Sequence, residues 1–173
     1  NEREKNGKFK TFTDFINRID PKDVNKLQLE GLVKAGAFDE IDLNRKKLFK
    51  AIPKIIQTIK SKHDEKVSNQ TNLFDEINNK DNETFEFEKT KPWSKKELLG
   101  EEFTSLGFYI SDHPLNAYKE FFNQLEIVPY KDFVEGNKSE ALVAGTVMSI
   151  IEKKSAKGNS YAIIKFSDNK SEF

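Results

Sequence analysis

Cysteine is absent from the 173 residues. That absence excludes a disulfide framework and a thiolate metal site, and it accords with a reducing compartment. Histidine occurs only at His63 and His113, too little for a zinc centre without cysteine. No apolar run approaches membrane-spanning length and no signal peptide opens the chain, so no membrane partner is expected. Charge of one sign is missing from the total: Lys plus Arg equals 29 and Asp plus Glu equals 29. Only local charge can therefore speak of partners. There is no Gly-rich phosphate loop, no nucleophile elbow and no apolar strand bearing paired carboxylates. No residue is assigned a catalytic role, and no metal or cofactor is expected in this segment.

Apolar content of 36% and charged content of 34% describe a polar chain with enough apolar side chains to fold, as one medium domain or two small ones. It opens on Asn1-Glu2-Arg3-Glu4-Lys5 without an initiator Met and stops at Ser171-Glu172-Phe173, which reads as the start of a strand. The expectation is an excised segment of a longer protein, mainly α with a C-terminal β portion.

Helical punctuation dominates the first third. Thr11-Phe12-Thr13-Asp14 has capping-box form, and Phe12, Phe15, Ile16 and Ile19 recur at helical spacing. Asp20-Pro21 is a second start signal, followed by Val24, Leu27, Leu32 and Ala35 on a predicted apolar stripe that Gly36 ends. Ala37-Phe38-Asp39 makes a tight connection, and Asp42 or Asn44 caps the next helix. Leu48, Ile52, Ile55, Ile56 and Ile59 supply its buried face, and Pro53 predicts a kink or a split into two short helices.

From Ser61 to Pro92 the composition is that of a linker, with Leu73, Phe74, Ile77, Phe85 and Phe87 as isolated apolar points. Trp93 precedes a further capping box, Ser94 to Glu97. Leu99, Phe103, Leu106 and Ile110 then lie along one helical face. Ser111-Asp112-His113-Pro114 stops that helix and starts another carrying Leu115, Tyr118, Phe122 and Leu125; His113 reads as a turn or cap residue. Ala141 to Ile151 is rich in β-formers with a bulge or bend at Gly145. Lys157-Gly158-Asn159-Ser160 signals a hairpin, Tyr161 to Phe166 a second strand and Ser167 to Lys170 a second turn. The expected division is a helix-hairpin-helix module over 1–62, a flexible linker over 63–92, a helical pair over 93–127 and a truncated OB-fold over 128–173.

Three features bear on function. Leu43 to Lys62 carries Arg45, Lys46, Lys47, Lys50, Lys54, Lys60 and Lys62 and no acid. It follows a turn whose backbone N–H groups and helix N-terminus suit a phosphate, so salt-sensitive contact with DNA is one reading and a solvated lysine face the other. Gln70, Leu73 and Phe74 place an apolar pair in a polar run, for a partner to bury or to dock back on a nearby helix. Lys153, Lys154, Lys157 and Tyr161 flank the hairpin loop. There lysines for phosphates and a ring for stacking suit single-stranded nucleic acid, and a generic β-meander is the alternative.

Gly7-Lys8-Phe9, Arg18-Ile19-Asp20, Leu29 through Asp39, Gln70 to Phe74 and Leu106-Gly107-Phe108-Tyr109-Ile110-Ser111-Asp112-His113-Pro114-Leu115, in that order and spacing, closely resemble the C-terminal part of the alpha subunit of bacterial DNA polymerase III. The resemblance covers nearly the whole chain. It implies the second half of a paired helix-hairpin-helix element gripping duplex DNA, with Lys34, Ala35, Gly36 and Ala37 at the DNA-facing hairpin. It also implies an internal sliding-clamp peptide, with Gln70, Leu73 and Phe74 entering the clamp pocket and Asn72 where the family peptide often carries an apolar or acidic residue. The start of an OB domain follows. The implied partners are DNA, the sliding clamp and other replicase subunits in the bacterial cytoplasm. The implied parent reaction is template-directed DNA synthesis from dNTPs with magnesium, whose catalytic palm lies outside this segment. A stand-alone nucleic-acid-binding protein and a purely structural interaction module are the alternatives.

Overall fold

The computed structural model describes residues 2–67, 85–136 and 138–173, the side chains of 65–67 excepted. The chain divides into two compact units, 1–101 and 102–173. Unit 1 holds α1 (Glu2–Asn6), α2 (Phe12–Arg18), α3 (Lys26–Lys34), α4 (Arg45–Val67) and the start of α5 (Lys95–Leu106). Unit 2 holds the rest of α5, a 3-10 turn over Pro114–Tyr118, α6 (Lys119–Gln124), α7 (Tyr130–Glu135), β1 (Thr146–Lys154) and β2 (Ser160–Ser167). The architecture is mainly helical with a C-terminal antiparallel β pair.

Unit 1 is organised around phenylalanine. Phe12 and Phe15 of α2 meet Phe38 with ring centroids 4.9 and 5.1 Å apart. Leu29 and Val33 of α3 and Leu48, Ile52, Ile55 and Ile59 of α4 are buried almost completely against them. α2 starts at Thr11, whose hydroxyl accepts the Asp14 amide at 3.0 Å. Asp14 accepts the Lys10 amide at 2.9 Å, one residue before the cap. Arg18 binds Glu2, Asp14 and the Gly7 carbonyl, tying α1 to α2.

α3 begins later than the Asp20-Pro21 signal predicts. Pro21–Asp23 forms a turn, and the start is set by Asn25 and Gln28, which exchange a full capping box at 2.9 Å each way. The buried face also differs from the predicted stripe. Leu27 and Leu32, expected in the core, are 78% and 43% exposed, and Leu29 and Val33 take the buried face instead. α3 ends in a Schellman motif, with Gly36 at φ +81°. The Ala37 amide reaches the Leu32 carbonyl at 2.9 Å and the Gly36 amide reaches Val33 at 3.1 Å. Asn44 caps α4 by accepting the Lys47 amide at 3.1 Å.

α4 is one helix of 23 residues, not two short ones. Pro53 cannot donate to the Phe49 carbonyl, yet it lies on the exposed side, and burial of Leu48, Ile52, Ile55 and Ile59 along the other side holds both halves to the same core. The helix continues into the residues expected as linker. Beyond residue 84, Phe85 and Phe87 are not isolated points: both pack on the core of unit 1, and the Phe85 amide donates to Thr13 Oγ1 at 3.0 Å.

α5 opens on the expected Ser94–Glu97 box and ends at Leu106, so Ile110, 57% exposed, is off the helix. The loop after Gly107 is held by fully buried Glu102, which accepts the Ile110 and Ser111 amides at 3.1 Å each. The periodicity did not announce α7. Asp168 places a carboxylate at its first turn, accepting the Tyr130 amide at 2.7 Å. β1 and β2 pair antiparallel with Ile150 opposite Ile164 and Lys153 opposite Tyr161. The irregularity lies between Val147 and Ser149, not at Gly145. Gly145 instead permits close approach: a Cβ there would stand 2.9 Å from both Phe166 and Phe173. Phe173 pairs with Phe166 through two backbone hydrogen bonds, and Ser167 bridges Glu172.

Candidate nucleic-acid interface

The α3–α4 hairpin brings most of the sequence-predicted DNA residues together. Lys34 closes α3, Ala35 is its C-cap, Gly36 and Ala37 make the turn, and Arg45, Lys46 and Lys47 form the first turn of α4. Their environments differ from the open cationic face that the sequence suggests. Lys34 pairs with Glu101 at 2.8 Å and sits 5.1 Å from the Phe49 ring centroid. Lys46 stands 3.6 Å from Glu97, Lys47 pairs with Asp42, and Arg45 pairs with Asp39 at 2.6 Å. The compensating acids lie outside the Leu43–Lys62 window, so a count confined to that window overstates the field.

These pairs are unequal. Arg45 is 6% exposed, whereas Glu97 beside Lys46 is half exposed and the separation is long. A pair of the second kind stabilises by no more than about 1 kcal/mol, so an incoming phosphate can replace the carboxylate. Lys50 and Lys60 are exposed and form no ion pair among the described residues. Lys54 covers the Phe85 ring and Lys62 donates to Asn17 at 2.6 Å. The Gly36 and Ala37 amides, expected to face a phosphate, close α3 instead.

In unit 2 the hairpin sets Lys153 directly across from Tyr161, on one face, with Tyr161 47% exposed. Lys154 pairs across from Ser160 on the opposite face and Lys157 is exposed in the connecting turn. Gln70, Leu73 and Phe74 lie outside the described residues.

His113, Ser167 and Asp168 form a cluster with the composition of a hydrolytic triad, but the hydrogen bonds exclude that chemistry. The Leu115 amide donates to His113 Nδ1 at 3.3 Å, so the neutral ring carries its proton on Nε2 and donates it to Ser167 Oγ at 2.9 Å. A nitrogen that donates to the serine cannot take the serine's proton. Burial pulls the His113 pKa below its ordinary value, against the opposing pull of Asp168 and Asp112. For Asp168, burial pushes upward but the Tyr130, Lys170 and Ser171 amides outweigh it, and the carboxyl titrates below its usual range. The cluster caps a turn and a helix. Sequence reasoning placed Asp168 only in a turn; its reach to Tyr130, 38 residues earlier, leaves no local signal. Among the described residues no three His or carboxylate side chains converge on one point.

A family described as a helix-hairpin-helix motif matches residues 1–48, the stretch containing α1 to α3 and the first turn of α4. Three relatives carry the same printed description, DNA polymerase III subunit alpha. That of Borreliella burgdorferi is 43% identical over 121 residues, 69% of this chain and 10% of the relative. That of Rickettsia bellii is 35% identical over 167 residues, 94% and 14%. That of Caulobacter vibrioides is 30% identical over 174 residues, 99% and 15%. The chain thus spans between 10% and 15% of the length of these relatives.

Proposed function

The chain belongs to the family of DNA polymerase III alpha subunits, and from that premise we propose that it is a DNA- and sliding-clamp-binding segment supporting processive replication. The α3–α4 hairpin grips the backbone of duplex DNA through Lys46, Lys47 and the N-terminus of α4, with Lys34 and the Gly36–Ala37 turn alongside. Gln70, Leu73 and Phe74 engage the clamp, which makes re-engagement with the template effectively intramolecular. The β1–β2 hairpin is the beginning of an OB-fold, and Lys153, Lys154, Lys157 and Tyr161 meet single-stranded template. The parent reaction is template-directed DNA synthesis from dNTPs with magnesium in the bacterial cytoplasm; this segment contributes grip and tether rather than chemistry. Other replicase subunits are further partners.

The observation that carries the reading is the coincidence of the helix-hairpin-helix match over 1–48 with a capped, glycine-closed hairpin opening into a basic helix. A second reading has its own support. Lys34, Lys46 and Lys47 all have acidic partners within unit 1, as expected of a purely structural face. One experiment separates the two: titrate duplex DNA and purified clamp into the chain across salt concentrations. Lys46→Glu with Lys47→Glu is expected to weaken duplex binding and to flatten the salt slope by about 0.9 per lost phosphate contact. The triple Gln70→Ala, Leu73→Ala, Phe74→Ala variant is expected to lose the clamp and keep DNA. Unchanged DNA titrations for the lysine pair would assign those side chains to structure, and retained clamp binding by the triple variant would remove the tether.

A further inference from the structure

Arg45 is the one cation of the Leu43–Lys62 run that is buried. Its guanidinium joins three segments that are separate in sequence. Nε donates to Asp39 Oδ1 at 2.8 Å and a terminal nitrogen to Asp39 Oδ2 at 2.6 Å, a bidentate fork. The other terminal nitrogen donates to the Lys34 carbonyl at 2.9 Å, one of the last carbonyls of α3 that the helix itself leaves open. The same group lies over Gly36: a Cβ there would fall on the guanidinium, 2.6 Å from its central carbon and 2.8 Å from Asp39 Oδ2. One side chain at the start of α4 therefore fastens the end of α3, the turn glycine and the turn carboxylate.

A phosphate could reach this fork only after the bidentate pair with half-buried Asp39 opened, and opening it leaves the buried Arg45 guanidinium without its carboxylate. We infer that Arg45 is a positioning residue: it fixes the turn from Ala35 to Asp42 and so sets how Lys46, Lys47 and the α4 N-terminus are presented, without itself touching DNA. The inference rests on the DNA-gripping role proposed for this hairpin. It reverses the part that the basic run suggests for Arg45, and it gives Asp39 a role no charge count reveals. Removing an acid near a DNA-binding face should tighten binding if charge alone mattered. If Asp39 holds the lock, removing it should weaken binding.

The test uses the full chain, duplex DNA at several salt concentrations, and amide exchange at Gly36 and Ala37 followed by NMR. Asp39→Asn keeps the shape and removes the charge; it is expected to weaken duplex binding roughly two- to thirtyfold, the range of substitutions acting through neighbours, with the salt slope unchanged. Arg45→Lys is expected to weaken it similarly, because an ammonium cannot bridge a carboxylate bidentately and a carbonyl at once. Lys46→Gln, by contrast, should lower the slope by about 0.9. Both lock variants should speed exchange of the Gly36 and Ala37 amides. Tighter binding by Asp39→Asn, or wild-type binding by Arg45→Lys, would overturn the positioning role and make Arg45 an ordinary phosphate contact. If the unmodified chain bound no duplex, the DNA-gripping role would fall; the exchange data would then decide the lock alone, and unchanged Gly36 and Ala37 amides would overturn it.

Discussion

At Gly36 a hydrogen stands where any other residue would carry a β-carbon, and two independent constraints require it. The backbone is left-handed at φ +81°, and the space a Cβ would fill belongs to the Arg45 guanidinium. Gly36→Ala is therefore expected to destabilise unit 1 by about 1–2 kcal/mol from the backbone alone, and further through the displaced guanidinium. Gly100 is the internal control. It lies inside α5, and a Cβ there meets nothing within 4 Å. Gly100→Ala should stabilise by about 0.5–1 kcal/mol, the ordinary helical difference. Urea midpoints of the two variants should move in opposite directions; a shared direction would mean that the Gly36 site relaxes freely. The sequence made Gly36 visible as a helix breaker, because its conformational role is local. Arg45 was not visible as a lock, because its burial depends on where Asp39 and the Lys34 carbonyl stand after folding.

Elements reveal how far a start signal or a breaker can be overruled. Asp20-Pro21 has the chemistry of a helix start, yet the reciprocal Asn25–Gln28 cap begins α3, in which Leu29 and Val33 are buried in place of Leu27 and Leu32. A one-ended signal lost to one satisfied from both sides. α4 shows the converse: its apolar stripe was legible at nearly every position, whereas, of the kink or split expected from Pro53, the split into two short helices did not occur. Two buried side chains before that residue and two after it outweigh one missing hydrogen bond. Pro53 still costs the helix its Phe49 acceptor's partner. Pro53→Ala should therefore stabilise the chain by about 2 kcal/mol, the interior-proline penalty of about 3 reduced by the greater freedom of the unfolded backbone. Denaturant unfolding reads this as a raised midpoint at constant slope. No gain would indicate that the Phe49 carbonyl already has an equivalent partner.

For the molecule as a whole, a net charge of zero conceals two units that meet acid differently. In unit 2, burial keeps His113 neutral in the fold, with its pKa below the ordinary 6.5, while the unfolded chain takes up a proton near that value. The stability that neutral His113 contributes is complete above pH 6.5 and declines as pH falls below it. Protonation also requires a proton on Nδ1, the atom that accepts the Leu115 amide. Asp168, lowered from 3.8, keeps its contribution above that value and loses it only in stronger acid. In unit 1, Glu97 is lowered from 4.5 by its hydrogen bonds to the Ser94 amide and hydroxyl, and Glu2 is lowered from the same value chiefly by Arg18. Their contributions are complete above 4.5 and fade as pH drops through the folded values. Below pH 6.5 and above the carboxylate range, the loss that these four groups cause should thus fall on unit 2. Hydrogen exchange of the full chain, corrected for intrinsic rates, should show the 113–118 turn and the Ser167–Ser171 corner opening in that window while α3 and α4 keep their protection. His113→Gln can still donate to Ser167 and does not titrate, so it should abolish that step and leave the loss below pH 4 in place. Persistence of the step in His113→Gln would assign it to another group, and equal opening of α4 would mean that the two units do not respond to acid separately.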